Sequence, residues 1–302
     1  MKLSVCIFTY NHGRFIAQAI ESALAQRTSF EFEIIIGEDH STDNTALLVQ
    51  EYVKNYPQKI KAIFNPENLG LMKNHVNTVS SAKGDYIALL DGDDYWTDPL
   101  KLQKQADFLD QNPEFALCFH DASILNADGT INAGTCCGPN TPQIVGFKDI
   151  ICSASIPTLT LVFNKRFLKD HPPEWFETLN APDRPFFLLL LHHGPGHYFN
   201  ECWGTYRKHP NGHWTGQHYL SQWNTHLQIF QAVNKHFDYK YQADFCRCEA
   251  KIRFYLSIDL LRDKKKEEAL DEFADFLKYC IRNSALKEHQ EQIDWFQELY
   301  HQ

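Results

Sequence analysis

The 302-residue chain is 43% hydrophobic and 22% charged, with a formal charge of −9. That length supplies one large domain or two smaller ones, each with a real core, and an acid excess without a Lys/Arg stripe excludes the electrostatic footprint of a nucleic-acid binder. The longest strongly apolar run, Phe186 to Leu191, is far too short for a membrane span, and Met1-Lys2 leads straight into a strand-like run without the order of a signal peptide.

The first 125 residues alternate strand and helix. "LSVCIFT" (3–9) predicts a buried strand, and Ile16, Ala19, Ile20, Ala23 and Leu24 recur at helical spacing. "FEIIIGED" (32–39) predicts a second strand. Ser41 and Thr42 offer N-caps for a helix whose apolar face holds Ala46, Val49, Val53 and Tyr56. "IKAIFN" (60–65) is a short strand, followed by Asn68-Leu69-Gly70 and a helix over about 71–82. "DYIALLD" (85–91) is the fourth strand, Pro99 opens a helix, and "FALCFHDASIL" (115–125) is the fifth strand. Near-continuous apolar strands between amphipathic helices predict a mostly parallel sheet covered on both faces.

Residues 126–157 are looser. "TLTLVFN" (158–164) predicts strand, "DRPFFLLLLHHG" (183–194) a short buried helix, and "HYFNECWGTYRKH" (197–209) a strand leading into "PNGHWTG". Beyond about 216, helical spacing holds through Phe230, Val233 and Phe237, then Cys248, Ile252 and Leu256, then Leu270, Phe273 and Leu277, then Ile293, Phe296 and Tyr300. The division expected is therefore 1–216, an α/β domain, and 217–302, an all-helical extension. Lys264-Lys265-Lys266, followed by Glu267-Glu268, reads as a solvated helix start. Nine cysteines, an odd number scattered in apolar segments such as those of Cys6, Cys118 and Cys152, read as buried free thiols of a reducing cytoplasm. Cys246 and Cys248, two apart on a helix, point about 200° from each other and make a poor metal clip.

Ligands of open parallel sheets bind beyond the carboxyl ends of the strands. Those ends carry Thr9-Tyr10-Asn11, Glu38-Asp39 and Asp91-Gly92-Asp93-Asp94. The turn after the first strand, "TYNHGRF", has neither the Gly-x-Gly-x-x-Gly nor the Walker spacing, so a diphosphate bound here needs another positive partner. A divalent cation on Asp91–Asp94 supplies one, because hard carboxylate oxygens suit Mg²⁺ or Mn²⁺ with positions left for phosphate. The competing reading is an acidic turn in which Asp94 or Asp98 caps the next helix.

Five ordered blocks carry more. "SVCIFTYNHGRFIAQAIESALAQ", "IIIGEDHSTDNT", "NPENLGLMKNHVNT", "GDYIALLDGDDYWTDPLKLQKQ" and "PDRPFFLLLLHHG…TYRKHPNGHW" together resemble family 2 glycosyltransferases of the GT-A fold, over residues 3 to about 216. The resemblance implies an inverting transfer of sugar from a nucleoside-diphosphate sugar, UDP favoured, to a hydroxyl of a glycan or lipid-linked acceptor in polysaccharide biosynthesis. It implies Mn²⁺ or Mg²⁺ as cofactor. By position it assigns Thr9, Asn11, Glu38, Asp39, Lys73, Asp91, Gly92, Asp93 and Arg207 to the nucleotide sugar, with Asn74 nearby. Asp39 would accept the uracil N3–H, a role a carboxylate can fill; Glu38 and His40 depart from the family's usual Asp and Gly or Asn. Asp93, Asp94 and His209 are the implied metal ligands, with His213 behind His209. Asp183 is the implied general base, its rival reading being a helix cap. Trp96 and Trp214 are candidate walls for a sugar ring, with the rival reading that bare aromatics are more often core. The expected location is the cytoplasm, with peripheral docking at the inner membrane face and a homodimer through the C-terminal helices both left open.

Two other classes compete. Phosphatases of the haloacid dehalogenase type also place Asp-x-Asp at a strand end, but on the first strand. A sugar- or nucleotide-binding protein on the same fold, without turnover, would have no use for Asp183.

Overall fold

Every residue of the first strand, β1 (Leu3–Thr9), is buried, as is every residue of β2 (Phe32–Glu38). Strands apolar on both faces need cover on both, which helical crossovers between parallel strands provide. The crossovers are α1 (Ile16–Leu24), α2 (Thr45–Asn55) and α3 (Leu71–Ser80), and they deliver β3 (Ile60–Phe64) and β4 (Tyr86–Asp91). β1 pairs in parallel with β2 and β4, and β2 with β3. Helix α1 buries Ile16, Ala19, Ile20 and Ala23, the stripe its spacing predicts. Gly37 lets α3 lie close against β2, since a Cβ there would fall 2.0 Å from Thr78 Oγ1.

The computed structural model describes residues 1–134, 136–152, 156–168 and 172–301. These separate into two units, Met1–Gly216 and Gln217–Gln302. The first unit continues with β5 (Tyr95–Trp96), α4 (Lys101–Gln111), β6 (Leu117–Leu125), β7 (Ile131–Asn132), β8 (Ile144–Val145), α5 (Phe147–Cys152), β9 (Val162–Asn164), α6 (Asp183–Leu191) and β10 (Gly196–Arg207). The strand order is β3-β2-β1-β4-β9-β6-β10-β5, with β7 beside β6 and β8 beside β10.

Two details differ from the sequence expectation. The sheet is mixed: β9 runs antiparallel to both β4 and β6 and separates them. It covers only 162–164, because Pro157 starts a 3₁₀ turn whose carbonyl accepts from the Thr160 amide at 2.9 Å and hydroxyl at 2.7 Å. Ser41 and Thr42 do not cap α2. That helix starts at Thr45, whose amide donates to Asp43 Oδ1 at 2.9 Å.

The second unit comprises α7 (Tyr219–His236), α8 (Gln242–Arg262), α9 (Lys266–Arg282) and α10 (Gln290–Tyr300). Phe254, Phe273, Phe276 and Phe296 are buried together, with the Phe273 and Phe296 rings stacked 3.7 Å apart. Glycine is absent from 217–302, so its turns take left-handed backbone at Asp238, Tyr239, Lys264 and Ser284 instead. At the α8–α9 turn the amides of Lys264 and Lys265 donate back to the Leu261 and Leu260 carbonyls at 2.9 Å, a Schellman-type closure. Cys6, Cys118, Cys136, Cys137, Cys202, Cys246 and Cys280 are free thiols. Cys248 departs from the all-thiol expectation and is disulfide-bonded. Among the described residues, no helix is long and apolar enough to cross a membrane.

Candidate active site

The strand ends predicted to carry ligand chemistry meet along one edge. β1 ends at Thr9, whose carbonyl accepts from the Asp39 amide at 3.0 Å. Asn11 follows in left-handed backbone, φ 55°. Its carboxamide oxygen accepts from the Thr42 amide at 2.8 Å, and its own amide donates to Ser41 Oγ at 2.9 Å. Ser41 and Thr42 thus fasten the loop after β2 to the loop after β1.

At the end of β2, Glu38 and Asp39 are both buried. Glu38 Oε1 accepts from the Ser41 amide at 2.9 Å. Asp39 is more heavily engaged. Its Oδ1 accepts from Asn65 Nδ2 at 2.8 Å and the Leu69 amide at 2.9 Å, and its Oδ2 from the Gly70 amide at 2.9 Å. The 65–70 loop therefore closes on this carboxylate. Asn74, placed near the nucleotide by the resemblance, is buried and donates to the Gly37 carbonyl at 3.0 Å, so it ties α3 to β2. Lys73, one residue earlier on the same helix, is exposed.

The end of β4 is different. Asp91, Asp93 and Asp94 crowd together, and Asp183 at the start of α6 joins them: its charge acts on Asp91, and the Thr158 hydroxyl is near both carboxyls. Burial, then the charges of Asp183 and Asp93, push the Asp91 carboxyl well above the usual carboxylate range. Asp94 is raised likewise, by burial and then by Asp93 and Asp91. Burial raises Asp183, with the Thr158 bond and His213 opposing. Asp183 is the first residue of α6, not its cap: Pro182 holds that place, its carbonyl accepting from the Phe186 amide at 3.0 Å.

Asp93 goes the other way. Burial would raise it, but a hydrogen bond from His209 and the nearby His12 hold it below the ordinary range. His209 Nε2 lies 3.0 Å from Asp93 Oδ2, and His12 Nε2 lies 3.8 Å from the same oxygen. Gly92 makes room for this arrangement, since a Cβ there would stand 2.8 Å from both His12 Nδ1 and Thr9 Oγ1.

Arg207 organises the turn from β10. Its amide donates to Asp94 Oδ1 at 2.8 Å. Its guanidinium donates to the Asp93 carbonyl and to Gln18 Oε1, and lies 5.0 Å from the Phe15 ring centre and 4.6 Å from that of Tyr95. That gives Arg207 and Asp94 anchoring tasks which the sequence did not announce. Tyr206 was also missed. Its phenol stays protonated, through burial and then the charges of Asp94, Asp91, Asp93 and Asp183. His213 Nε2 contacts the Asn180 carbonyl at 2.8 Å. Trp96 is corrected from sugar wall to core: it is buried, with Nε1 donating to the Leu159 carbonyl at 2.7 Å. Trp214 is half-buried.

Among the described residues, no three His, Cys, Asp or Glu side chains are already gathered about one cation position. Of the expected metal set, the structure pairs Asp93 with His209 and turns Asp94 toward the Arg207 backbone. A divalent cation nevertheless suits the cluster. Asp94 Oδ2 is buried without a hydrogen-bond partner, and the carboxyls of Asp91, Asp94 and Asp183 resist ionisation for want of positive charge. The available donors, carboxylate oxygen and imidazole nitrogen, both bind such ions.

Comparison with known proteins bears on the fold and the family. The S. aureus TarS structure (residues 1–349, in complex with UDP-GlcNAc) superposes with a TM-score of 0.61 at 17% identity, covering 94% of this chain and 92% of that one. The mannosyltransferase PcManGT of Pyrobaculum calidifontis, solved with GDP-Man and Mn²⁺, superposes with a TM-score of 0.62 at 13% identity, covering 99% and 84%. The fold is that of GT-A glycosyltransferases, with helices added at the C-terminus. Residues 4–138 match the sequence profile of glycosyl transferase family 2, and that match, with the GT-A fold, supports membership of this family. The chain is 33% identical over 214 residues to the uncharacterised protein Rv1520 of Mycobacterium tuberculosis, 70% of this chain and 60% of that one, so it spans about three fifths of that relative's length.

Proposed function

We propose that this protein is an inverting glycosyltransferase that moves a sugar from a nucleoside-diphosphate sugar, UDP favoured, to a hydroxyl of a glycan or lipid-linked acceptor. The observation that carries the reading is the meeting of Asp183 with the β4 carboxylates near Thr158, on a fold shared with structures solved with UDP-GlcNAc and with GDP-Man. Asp183 takes the proton of the acceptor hydroxyl; its raised pKa brings a carboxylate closer to the operating pH, where a general base is most effective. The acceptor oxygen attacks the anomeric carbon, and the bond to the diphosphate oxygen breaks with its electron pair leaving on the diphosphate. Asp93 and His209 would hold Mn²⁺ or Mg²⁺, which when bound neutralises charge on the departing phosphate. Asp39 has about four acceptor positions and three are filled, which leaves one for the uracil N3–H. Tyr206 adds a protonated donor among the carboxylates.

The test is Asp183→Asn. Binding of UDP-sugar with Mn²⁺, measured by calorimetry, is expected to persist, while UDP release falls by roughly 10²–10⁴-fold. Near-normal turnover would move the base elsewhere. Binding without release by the unaltered protein would make it a binding protein on an enzyme fold.

A further inference from the structure

Helix α9 carries apolar residues on two faces. Ala269, Phe273, Phe276 and Cys280 are buried, in one cluster with Phe254 of α8 and Phe296 of α10. A second stripe, Leu270, Ala274, Leu277 and Ile281, lies about 100° further round the helix. Leu270 is 41% exposed and Ile281 63%, Ala274 is exposed and Leu277 is half-buried. The spacing of four, three and four residues is that of a helix–helix seam, which single scattered surface apolars do not keep.

The stripe has a charged border on the side away from the core. Glu267, Asp271, Lys278 and Arg282 are all exposed and project about 80° from the stripe, the two acids first and the two bases last. Arg253 of α8 engages other acids of α9, Glu272 at 2.6 Å and Asp275 at 3.3 Å. Lys278 lies 2.7 Å from Asp275 in an exposed pair along the helix, which leaves its remaining donors for a second carboxylate. Acids before bases also suit the helix dipole, but the dipole acts on any side of the helix. Gathering these four beside an exposed apolar stripe serves a contact.

We infer that α9 pairs antiparallel with α9 of a second copy of this chain. In such a pair, related by a two-fold axis, the same border of each helix faces its counterpart. Leu270 then meets the partner's Ile281, Glu267 the partner's Arg282 and Asp271 the partner's Lys278. The apolar stripe and the charged border have centres one residue apart in sequence, so a single axis serves both. Parallel pairing would set Glu267 beside the partner's Glu267, which like charges oppose. The stripe is about 17 Å long, short for an obligate interface, so the dimer belongs to the weak class that forms in the micromolar range.

Sedimentation velocity on the full chain, from about 1 to 300 µM, tests this. The unaltered protein is expected to pass from monomer to dimer. Ile281→Glu, which sets an unpaired charge in the seam of both copies, should weaken the dimer on the order of 100-fold. Glu267→Arg or Arg282→Glu alone should weaken it about 10-fold, and the two together should restore it. Within one copy the two positions are about 22 Å apart, and their exchange works against the helix dipole, so restoration can arise only between copies. Circular dichroism checks each variant's fold; the charge exchange touches only exposed residues and decides the matter where Ile281→Glu does not fold. A monomer at every concentration overturns the inference, as does assembly beyond a dimer. A dimer unchanged in folded Ile281→Glu uses another surface and overturns it too. So does a folded double exchange that stays as weak as the single changes.

Discussion

The ends of β2 and β4 both bury carboxylates, only one strand apart, yet they are opposite in character. Asp39 is met by three donors from the 65–70 loop. Asp91 and Asp94 have few donors; burial, with the charges of Asp183 and Asp93 on the first and of Asp93 and Asp91 on the second, leaves them resisting ionisation. The contrast separates a carboxylate that holds structure from carboxylates that await a positive partner. Stability lost at the second place is acceptable where ligand binding restores it.

Asp93→Ala gives the largest effect expected: Mn²⁺-dependent UDP affinity, by calorimetry, falls on the order of 100-fold. An unchanged affinity would remove the β4 end from the donor site. The next measurement addresses the contrast itself. Urea unfolding of Asp39→Asn without ligand should show a loss of about 3 kcal/mol, because two backbone amides and Asn65 lose a charged acceptor. Asp91→Asn should be neutral or stabilising by about 1 kcal/mol. The reverse order would collapse the distinction.

The same logic extends to buried cations. Lys101 is fully buried, with Nζ lacking a hydrogen-bond partner 4.2 Å above the Trp96 ring, and burial brings its pKa down to about 7. An unfolded lysine titrates near its ordinary value of 10.5. The folded state therefore binds fewer protons between those values, and stability is highest above the upper one and lost as pH falls toward the lower. Lys101→Met should remove this slope and add roughly 2–3 kcal/mol at pH 8. His75 gives the smallest effect at neutral pH. Both ring nitrogens are buried without hydrogen-bond partners, the ring stacks 4.5 Å from Phe8, and burial lowers its pKa to about 3. Its contribution is intact above the ordinary 6.5 and is lost as pH falls from there toward 3. His75→Phe should unfold at lower pH than the parent while differing by only about 1 kcal/mol at pH 7.

The parallel half of the sheet was legible because β1, β2 and β4 are unbroken apolar runs with amphipathic helices between them. β5, of two residues, was not, since nothing local distinguishes so short a strand from a turn, and pairing with β10 makes it one; β9 was read as strand over 158–164, but its three-residue extent and its antiparallel place between β4 and β6 were not legible. At the site, the Asp91–Asp94 cluster announced itself by charge density. His12 did not, being one of 15 histidines in the chain and meeting Asp93 only after folding. Trp96 was left between sugar wall and core for a related reason: sequence shows a flat ring but not that Leu159 occupies its N–H, which decides for core.

The antiparallel insertion of β9 between β4 and β6 also sets an order of events during synthesis. The four strands β3-β2-β1-β4 have all emerged once residue 91 is made, but the free edge of β4 has no neighbour until residue 162 arrives. Until then the nascent chain carries an open, apolar strand edge, the kind of template that recruits other chains. His209 arrives later still, so Asp93, which already has His12 nearby, gains its hydrogen-bonding imidazole only after residue 162 has been made.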